Sequence, residues 1–519
     1  MKKSGINRRD FIKNTAMASI PLAMSGFPLF ALSNSKKLTF DENNDKILVL
    51  VQLQGGNDGL STLFHAPQYD NLQAVRSNIL VPKNSIINFY NDYGMHPAMQ
   101  GFKDIWDTDC LGIVQNVGYP NQNRSHFRST DIWNTASSAE EFETTGWVGR
   151  YYDLNYSDYP TGYPNVKNPH PFALTMGKIV SETCEGINAN YSLSLLDPFN
   201  PGTALVGAGG SIPANCYGDA LTFVNETVAQ TNAFASVIST AANAGRNLSA
   251  KWNGLQTELA QKLKNISRLI SGGLNTKIYV VQLAGFDTHD NQAVSGATTT
   301  GIHNNLLKEL SDAVGAFQDD LNLLNVSNRV VGMTYSEFGR RIRSNAALGT
   351  DHGTAAPMLL FGSCVDKKIL GNHPIINPQA GIEDGVPMQY DFRDIYATIL
   401  QNWLGLNNSE VKSVIHPNVK MLSLFKPGCV SVASNVDNVD FKIYPNPATN
   451  FINIELPVLN SVTNISLYNG IGAILKTLQI NTNASSQTID LNVAHLPSST
   501  YFIKVENQDI RKTKKFVKL

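Results

Sequence analysis

KIYVVQLAGFDTHDNQ, residues 277–292, runs an unbroken apolar, β-branched stretch into a glycine and then places Asp287 and His289 two residues apart. A continuous apolar run ended by glycine reads as an inner strand of a parallel sheet, buried on both faces. In such sheets ligands bind beyond the carboxyl ends of the strands, so Asp287 and His289 are expected where chemistry sits. If the backbone remains extended, the two side chains share a side and can hold one cation. Carboxylate oxygen with imidazole nitrogen suits zinc, manganese or iron better than calcium.

Four other runs have the same character: KILVLVQL (46–53), LGIVQNV (111–117), RVVGMTYS (329–336) and PMLLFG (357–362). Between them, 303–324 spaces Leu306, Leu310, Val314, Phe317, Leu321 and Leu324 three or four apart, which predicts one apolar helix face. Residues 391–404 repeat that pattern from an aspartate cap to Gly405. Residues 219–271 predict two more helices, the second through Leu255, Leu259, Leu263 and Ile266, as an insertion packed on the sheet. The alternation predicts an α/β domain over 45–425, a mostly parallel sheet flanked by helices.

At 519 residues, with 42% hydrophobic and 16% charged residues, the chain is globular and long enough for two or three domains. A net charge of -1 gives no basic field for nucleic acid. The five cysteines, Cys110, Cys184, Cys216, Cys364 and Cys429, show no C-x-x-C or zinc-finger spacing. Most are expected to be buried apolar residues, with a Cys184–Cys216 bridge conceivable in an exported protein.

The first 33 residues read as a leader: charged, with paired Arg8 and Arg9, then a mildly apolar stretch and a small-residue exit near Ala31 and Ser33. NRRDFIK resembles a twin-arginine signal, which implies folding, and cofactor uptake, before export. Pro21, Gly26 and Pro28 interrupt the apolar stretch, against a permanent transmembrane helix.

Past FKPGCVSVASNVDN (425–438) the composition changes. With 426–439 as linker, residues 440–519 give short alternating strands with turn residues every 8–12 positions, a small all-β sandwich without a catalytic cluster. YPNPATNFINIEL, LYNGIGAIL and IDLNVAHLPSSTYFIKV resemble the type A C-terminal sorting domain of type-nine secretion in Bacteroidetes. The resemblance implies passage through the outer membrane by that machinery.

Three more stretches place polar groups beside strands. VQLQGGNDGLS (51–61) follows a strand with two glycines, Asn57 and Asp58; it is neither a dinucleotide fingerprint nor a P-loop. An acidic residue there suits a metal ligand, and Asn-Asp-Gly is equally an ordinary turn. NRSHFRSTDIW (123–133) puts Ser125 at a helix start, where the N–H groups and dipole favour an anion or a nucleophile, with Arg124, His126 and Arg128 beside it. The third runs from Glu337, after a strand, to Asp351 and His352, before another; a tight turn at Gly353 could bring that pair to one ion or to two about 4 Å apart.

Taken together, QLQGGNDGL, MHPAM, NRSHF, GFDTH-x-x-Q, SEFGR, DHGTAAPMLLFG and DFRDIYATILQNWLG resemble the exported bacterial family known as domain of unknown function fifteen-oh-one, across about 45–425. That family is similar in layout to the alkaline phosphatase and sulfatase superfamily, whose members use one or two metals and a Ser, Thr or formylglycine nucleophile. The resemblance implies Asp58 as the first-strand ligand, Ser125 as nucleophile, Asp287 with His289 on one metal and Asp351 with His352 on the other. The same resemblance would make Glu337 an extra ligand or a residue standing behind the ligands. The superfamily's histidine usually follows its aspartate by several residues, not two. A third late histidine is open among His303, His373 and His416, and no C-x-P-x-R or S-x-P-x-R sulfatase signature occurs.

The expectation is an exported hydrolase of small-molecule or glycan phosphate or sulfate esters, with one or two divalent ions, zinc ahead of manganese or iron. Ser125 would be the nucleophile, with Arg124 or Arg128 neutralising the ester's charge. The alternative is a non-catalytic surface protein that binds a glycan or partner on the same scaffold.

Overall fold

The computed structural model describes residues 44–202, 215–430, 441–456, 462–470, 473–481, 487–506 and 511–519. The leader with its twin-arginine motif lies outside them. The chain divides into two compact units: residues up to 399 with 413–429, and residues 400–412 with the chain from 430 onward.

The larger unit is built on a nine-stranded mixed sheet. Its strands are Ile47–Gln54 (β1), Leu111–Gly118 (β2), Ala173–Thr175 (β3), Ser192–Ser194 (β4), Ile278–Ala284 (β5), Val330–Tyr335 (β6), Ala356–Phe361 (β7), Lys368–Leu370 (β8) and Tyr390–Asp391 (β9). They lie in the order β8-β2-β7-β6-β1-β5-β3-β4, with β9 also on β2. β1 is flanked in parallel by β5 and β6, and its residues Ile47 to Val51 are all buried, as the unbroken apolar run requires. β7 alone runs antiparallel to its neighbours, β2 and β6. That reversal positions the site: the segment leading into β7 reaches the same sheet edge as the segments leaving β1, β2, β5 and β6.

The helices that matter are His126–Thr135 (α1), Cys216–Ala244 (α2), Glu258–Ser271 (α3), Ile302–Leu323 (α4) and Phe392–Asn402 (α5). The expected 219–271 insertion is α2 and α3, with α2 starting earlier because Asn215 caps it by accepting from Gly218 N at 3.0 Å. Phe234 and Ile238 of α2, Leu259, Leu263 and Ile266 of α3 and Leu310, Val314 and Phe317 of α4 share one core with Val49 and Val51 of β1. On α5, Phe392 stacks on Trp133 of α1 with ring centroids 4.3 Å apart.

Cys364 and Cys429 form a disulfide, closing the larger unit just where the second resumes. This corrects the Cys184–Cys216 expectation: Cys184 is buried and free, as is Cys110, and the Cys216 side chain lies outside the described residues.

The smaller unit carries two antiparallel sheets. Lys442–Tyr444 (β10), Phe451–Leu456 (β11), Val462–Tyr468 (β12), Ile474–Asn481 (β13), Gln487–Asn492 (β14), Ser499–Glu506 (β15) and Arg511–Lys518 (β16) form β10-β11-β14 and β13-β12-β15-β16. Alternation buries Ile452, Ile454 and Leu456 against Tyr501, Ile503 and Val505 in one core. Among the described residues, no helix is long and apolar enough to cross a membrane.

Candidate metal centre and adjoining cavity

Five chain segments meet at the edge where β1, β2, β5 and β6 end. Gly55 and Gly56 follow β1 with φ of 120° and 90°, and a Cβ on Gly55 would stand 2.2 Å from Asp287 N. Only glycine allows the β1 and β5 loops to approach so closely. Phe286 N donates to Gln54 O at 3.0 Å, fastening the same two loops.

Arg340 is the hub beneath them. Its side chain is wholly buried. Nε donates to Gly56 O and Nη1 to Thr350 O, both at 2.8 Å; Nη2 donates to Phe286 O at 2.8 Å, to Gly55 O and to Asp287 Oδ1 at 2.7 Å. One guanidinium thus sets the β1, β5 and pre-β7 loops and aims the Asp287 carboxylate. Its planar fork of donors can do this where a lysine could not.

Three histidines converge on that carboxylate, each held from behind by an acceptor. His126, first residue of α1, has Nδ1 2.8 Å from Glu337 Oε1. His289 has Nδ1 2.9 Å from Asp351 Oδ1. His352 has Nδ1 2.8 Å from the Arg124 carbonyl. Carboxylates and carbonyls accept, so each Nδ1 is the donor, and an imidazole so held carries its lone pair on Nε2 when neutral. The Nε2 atoms of His289 and His352 lie 3.1 and 3.0 Å from Asp287 Oδ1, and that of His126 lies 3.3 Å from Oδ2. The His289 and His352 Nε2 atoms face each other at 2.9 Å, while His126 Nε2 is buried with no hydrogen-bond partner. His126, Asp287 and His352 present ligand atoms all within 4.8 Å of one another.

The charges agree with this arrangement. Burial works to raise the Asp287 pKa, but the hydrogen bond from Arg340, the contact with His352 and the Arg340 charge outweigh it and bring it down to about 2. Asp351 is also lowered, its burial outweighed chiefly by hydrogen bonds from His289 and Asn345. His352 is lowered by burial and by the Arg340 and His126 charges, against its bonds to Asp287 and Arg124. Three imidazole Nε2 atoms therefore meet an anionic carboxylate whose Oδ1 is also held by Arg340, a donor set that fits a borderline cation such as zinc. A carboxylate or carbonyl behind each ligating imidazole is the usual support of such a centre.

The expected residues separate. Asp287, His289, Asp351 and His352 come together, with Asp351 behind His289. Glu337, 4% exposed at its side chain, accepts from His126 Nδ1 and, at 2.8 Å, from Gly55 N; it orients rather than faces the cluster. Asp58 departs from the expectation of a ligand. Its carboxylate is fully buried against Arg76, at 3.0 and 2.8 Å, and accepts from Gln292 Nε2 at 2.6 Å. Burial raises its pKa, yet the Arg76 and His303 charges bring it to about 2. The NDG turn sends this side chain under the site, because Arg76 offers its charge there.

Ser125 is exposed at the N-terminus of α1, its side chain making no capping bond. Arg124 reaches Glu383, with Nη2 2.9 Å from its carbonyl. Arg128 pairs with Asp131, donates to the carbonyls of Ser138, Ala139 and Glu141, and stacks at 4.0 Å on Phe142; its guanidinium holds the 138–142 loop. The third histidine is His126, near the start of the chain. His303 instead bonds Asn57 Oδ1 at 3.1 Å, His373 sits between the Pro374 and Leu63 carbonyls, and His416 accepts from Asn418 N. NRSHF displayed His126 beside Ser125, but no spacing tied it to residues 160 positions away.

A cavity of about 550 Å³ adjoins the cluster, lined by Gln54, Thr130, Asp131 and Glu182 together with His126 and Glu337 themselves. Phe127 also lines it and is 91% exposed.

Residues 239–413 match the family described as a protein of unknown function, DUF1501, a span that includes every cluster residue except His126. Residues 442–519 match the secretion system C-terminal sorting domain, so the chain is exported by type-nine secretion, to the cell surface or the medium. No curated protein matches the chain in sequence. Similar solved structures include a protein in the alkaline phosphatase superfamily from Vibrio parahaemolyticus, at 10% identity and TM-score 0.33, covering 85% of this chain and 78% of that one. A phosphonate monoester hydrolase from Silicibacter pomeroyi gives 10%, 0.34, 91% and 89%, and a sulfatase from Pseudoalteromonas sp. gives 8%, 0.31, 89% and 83%. At those TM-scores the likeness adds nothing to the strand order described above.

Proposed function

We propose that the larger unit binds a divalent cation, zinc ahead of manganese or iron, through His126, Asp287, His289 and His352, and hydrolyses phosphate or sulfate esters outside the cell. The observation that carries the reading is the convergence of three histidine Nε2 atoms on one carboxylate, each ring held at Nδ1 by an acceptor. When bound, such an ion polarises an ester oxygen and stabilises the charge that develops on it. The chain's own residues would do the rest. Arg340 holds Asp287 in place, Glu337 keeps the His126 lone pair directed inward, and the cavity accepts the ester's alcohol half. Ser125, beside His126 at a helix N-terminus, would form the bond to phosphorus or sulfur as the alcohol leaves with a proton, and water would then release the acid.

Metal analysis of the purified full chain, as wild type and as His126→Ala/His352→Ala, tests the centre. About one equivalent in the wild type and none in the variant are expected for a four-ligand zinc-type site. Aryl phosphate and aryl sulfate assays then test turnover, which Ser125→Ala should abolish while metal content stays unchanged. No metal in the wild type after reconstitution would overturn the centre; full activity in Ser125→Ala would overturn the nucleophile. A second reading, a metal-holding protein that binds a ligand without turnover, is favoured by one observation: Arg124 and Arg128 are both committed to other partners. Metal present with no hydrolysis of any ester would select it.

A further inference from the structure

The cavity shares His126 and Glu337 with the cluster, so an ester held at the cluster by its acid half has about 550 Å³ beside it for its alcohol half. The charge of that space is one-sided. Its ionisable lining consists of Asp131, Glu182, Glu337 and His126, and among the described residues no lysine or arginine lines it. Of the neighbouring arginines, Arg128 pairs with the lining residue Asp131 and holds the 138–142 loop, Arg124 lies on Glu383, and Arg340 lies beneath the loops. Glu337 is engaged by His126 and Gly55 N. The exposed carboxylate of Glu182 has a 3.4 Å contact from Asn134 Nδ2, and among the described residues no lysine or arginine forms an ion pair with it.

We infer that this cavity selects an ester whose alcohol half carries an ammonium group and disfavours one carrying a second anion. The inference rests on the proposed ester hydrolysis and names its substrate class. A cation placed a few ångströms from the exposed Glu182 gains, and an anion loses, up to about fivefold in affinity, the usual worth of an exposed ion pair. The Phe127 ring, in the same lining, offers an aromatic face on which an ammonium group can settle.

The test uses the full chain reconstituted with zinc and three phosphate monoesters of similar length: aminoethyl phosphate, hydroxyethyl phosphate and phosphoglycolate. Calorimetric binding is measured for each, and for inorganic phosphate. The expected order of affinity is ammonium, then hydroxyl, then carboxylate, with up to about fivefold between neighbours. Glu182→Gln, an isosteric change at an exposed position, should compress that order while leaving inorganic phosphate binding unchanged. Equal affinities, a reversed order, or an order that Glu182→Gln leaves intact would overturn the inference while inorganic phosphate binding upholds the centre. If inorganic phosphate itself fails to bind, the ester reading falls, and this inference with it.

Discussion

His126, His289 and His352 each spend one ring nitrogen on an acceptor and turn the other toward Asp287, so the residues behind them should matter nearly as much as the proposed ligands. Glu337→Gln removes the charge behind His126 while keeping an oxygen for Gly55 N. Metal affinity should fall by about 10–100-fold, the usual effect of losing such support. Competition with a chromophoric chelator would show it; an unchanged dissociation constant would make Glu337 a structural residue only. Asp58 should behave in the opposite manner. Arg76→Leu leaves its carboxylate buried without a counter-charge, which costs about 3–5 kcal/mol. Urea unfolding should register that loss in the larger unit while metal content per folded molecule stays constant. A metal-depleted but fully stable Arg76→Leu protein would return Asp58 to the centre. The sequence could not separate these two acids, since Asp58 and Asp287 both follow a glycine after an apolar strand. What separates them is a buried arginine 18 residues from one and a buried arginine 53 residues from the other.

At the scale of elements, the site depends on one strand that runs against its neighbours. β7 delivers Asp351 and His352 from its beginning to the edge where β1, β5 and β6 deliver residues from their ends, which explains why an acid–histidine pair ahead of a strand joins pairs that follow strands. The apolar runs that form β1, β2, β5, β6 and β7 were all legible in the sequence, because full burial of a strand needs an uninterrupted apolar run. The reversal of β7 was not, since strand direction leaves no mark on composition. The short strands β3, β4, β8 and β9 were also illegible, two or three residues giving no period to read. Gly55 is where this arrangement is tightest. Gly55→Ala sets a Cβ 2.2 Å from Asp287 N at φ 120°, a strain of about 1–3 kcal/mol that moving the β5 loop can relieve. The expected outcome is loss of bound metal at nearly wild-type helix content by circular dichroism. Retention of stoichiometric metal would show that the β1 and β5 loops tolerate the displacement.

For the molecule as a whole, the contrast between its units is set by what lies buried. The smaller unit's described core is apolar and contains no histidine, whereas the larger unit buries three outside the candidate centre. Burial lowers His303 to about 4, with the Arg340 and Arg76 charges adding to the effect and Asp58 opposing it. It lowers His96 to about 3, helped by His303 and opposed by Asp58. His373 falls to about 4, with the His65 charge adding to burial and bonds to two carbonyls opposing. In the unfolded chain all three titrate near 6.5. Between about 6.5 and 3 the unfolded chain therefore binds more protons than the native one, and stability must fall as pH falls. The contribution is complete above about 6.5 and is lost on the way down to the folded values; each proton costs about 1.4 kcal/mol per pH unit over its window. Asp58 adds a later loss, present above its unfolded value and surrendered as pH drops through about 2. Calorimetry from pH 8 to pH 4 on the metal-free His126→Ala/His352→Ala variant isolates these groups from acid release of a bound ion. The larger unit's transition should hold steady above pH 7 and decline steeply below 6.5, while that of the smaller unit stays flat by comparison. Adding His373→Gln should make the decline shallower by one proton's share. A decline of equal steepness in both units, or none before pH 4, would mean that the three imidazoles accept protons within the fold, and that water or a structural rearrangement reaches them there.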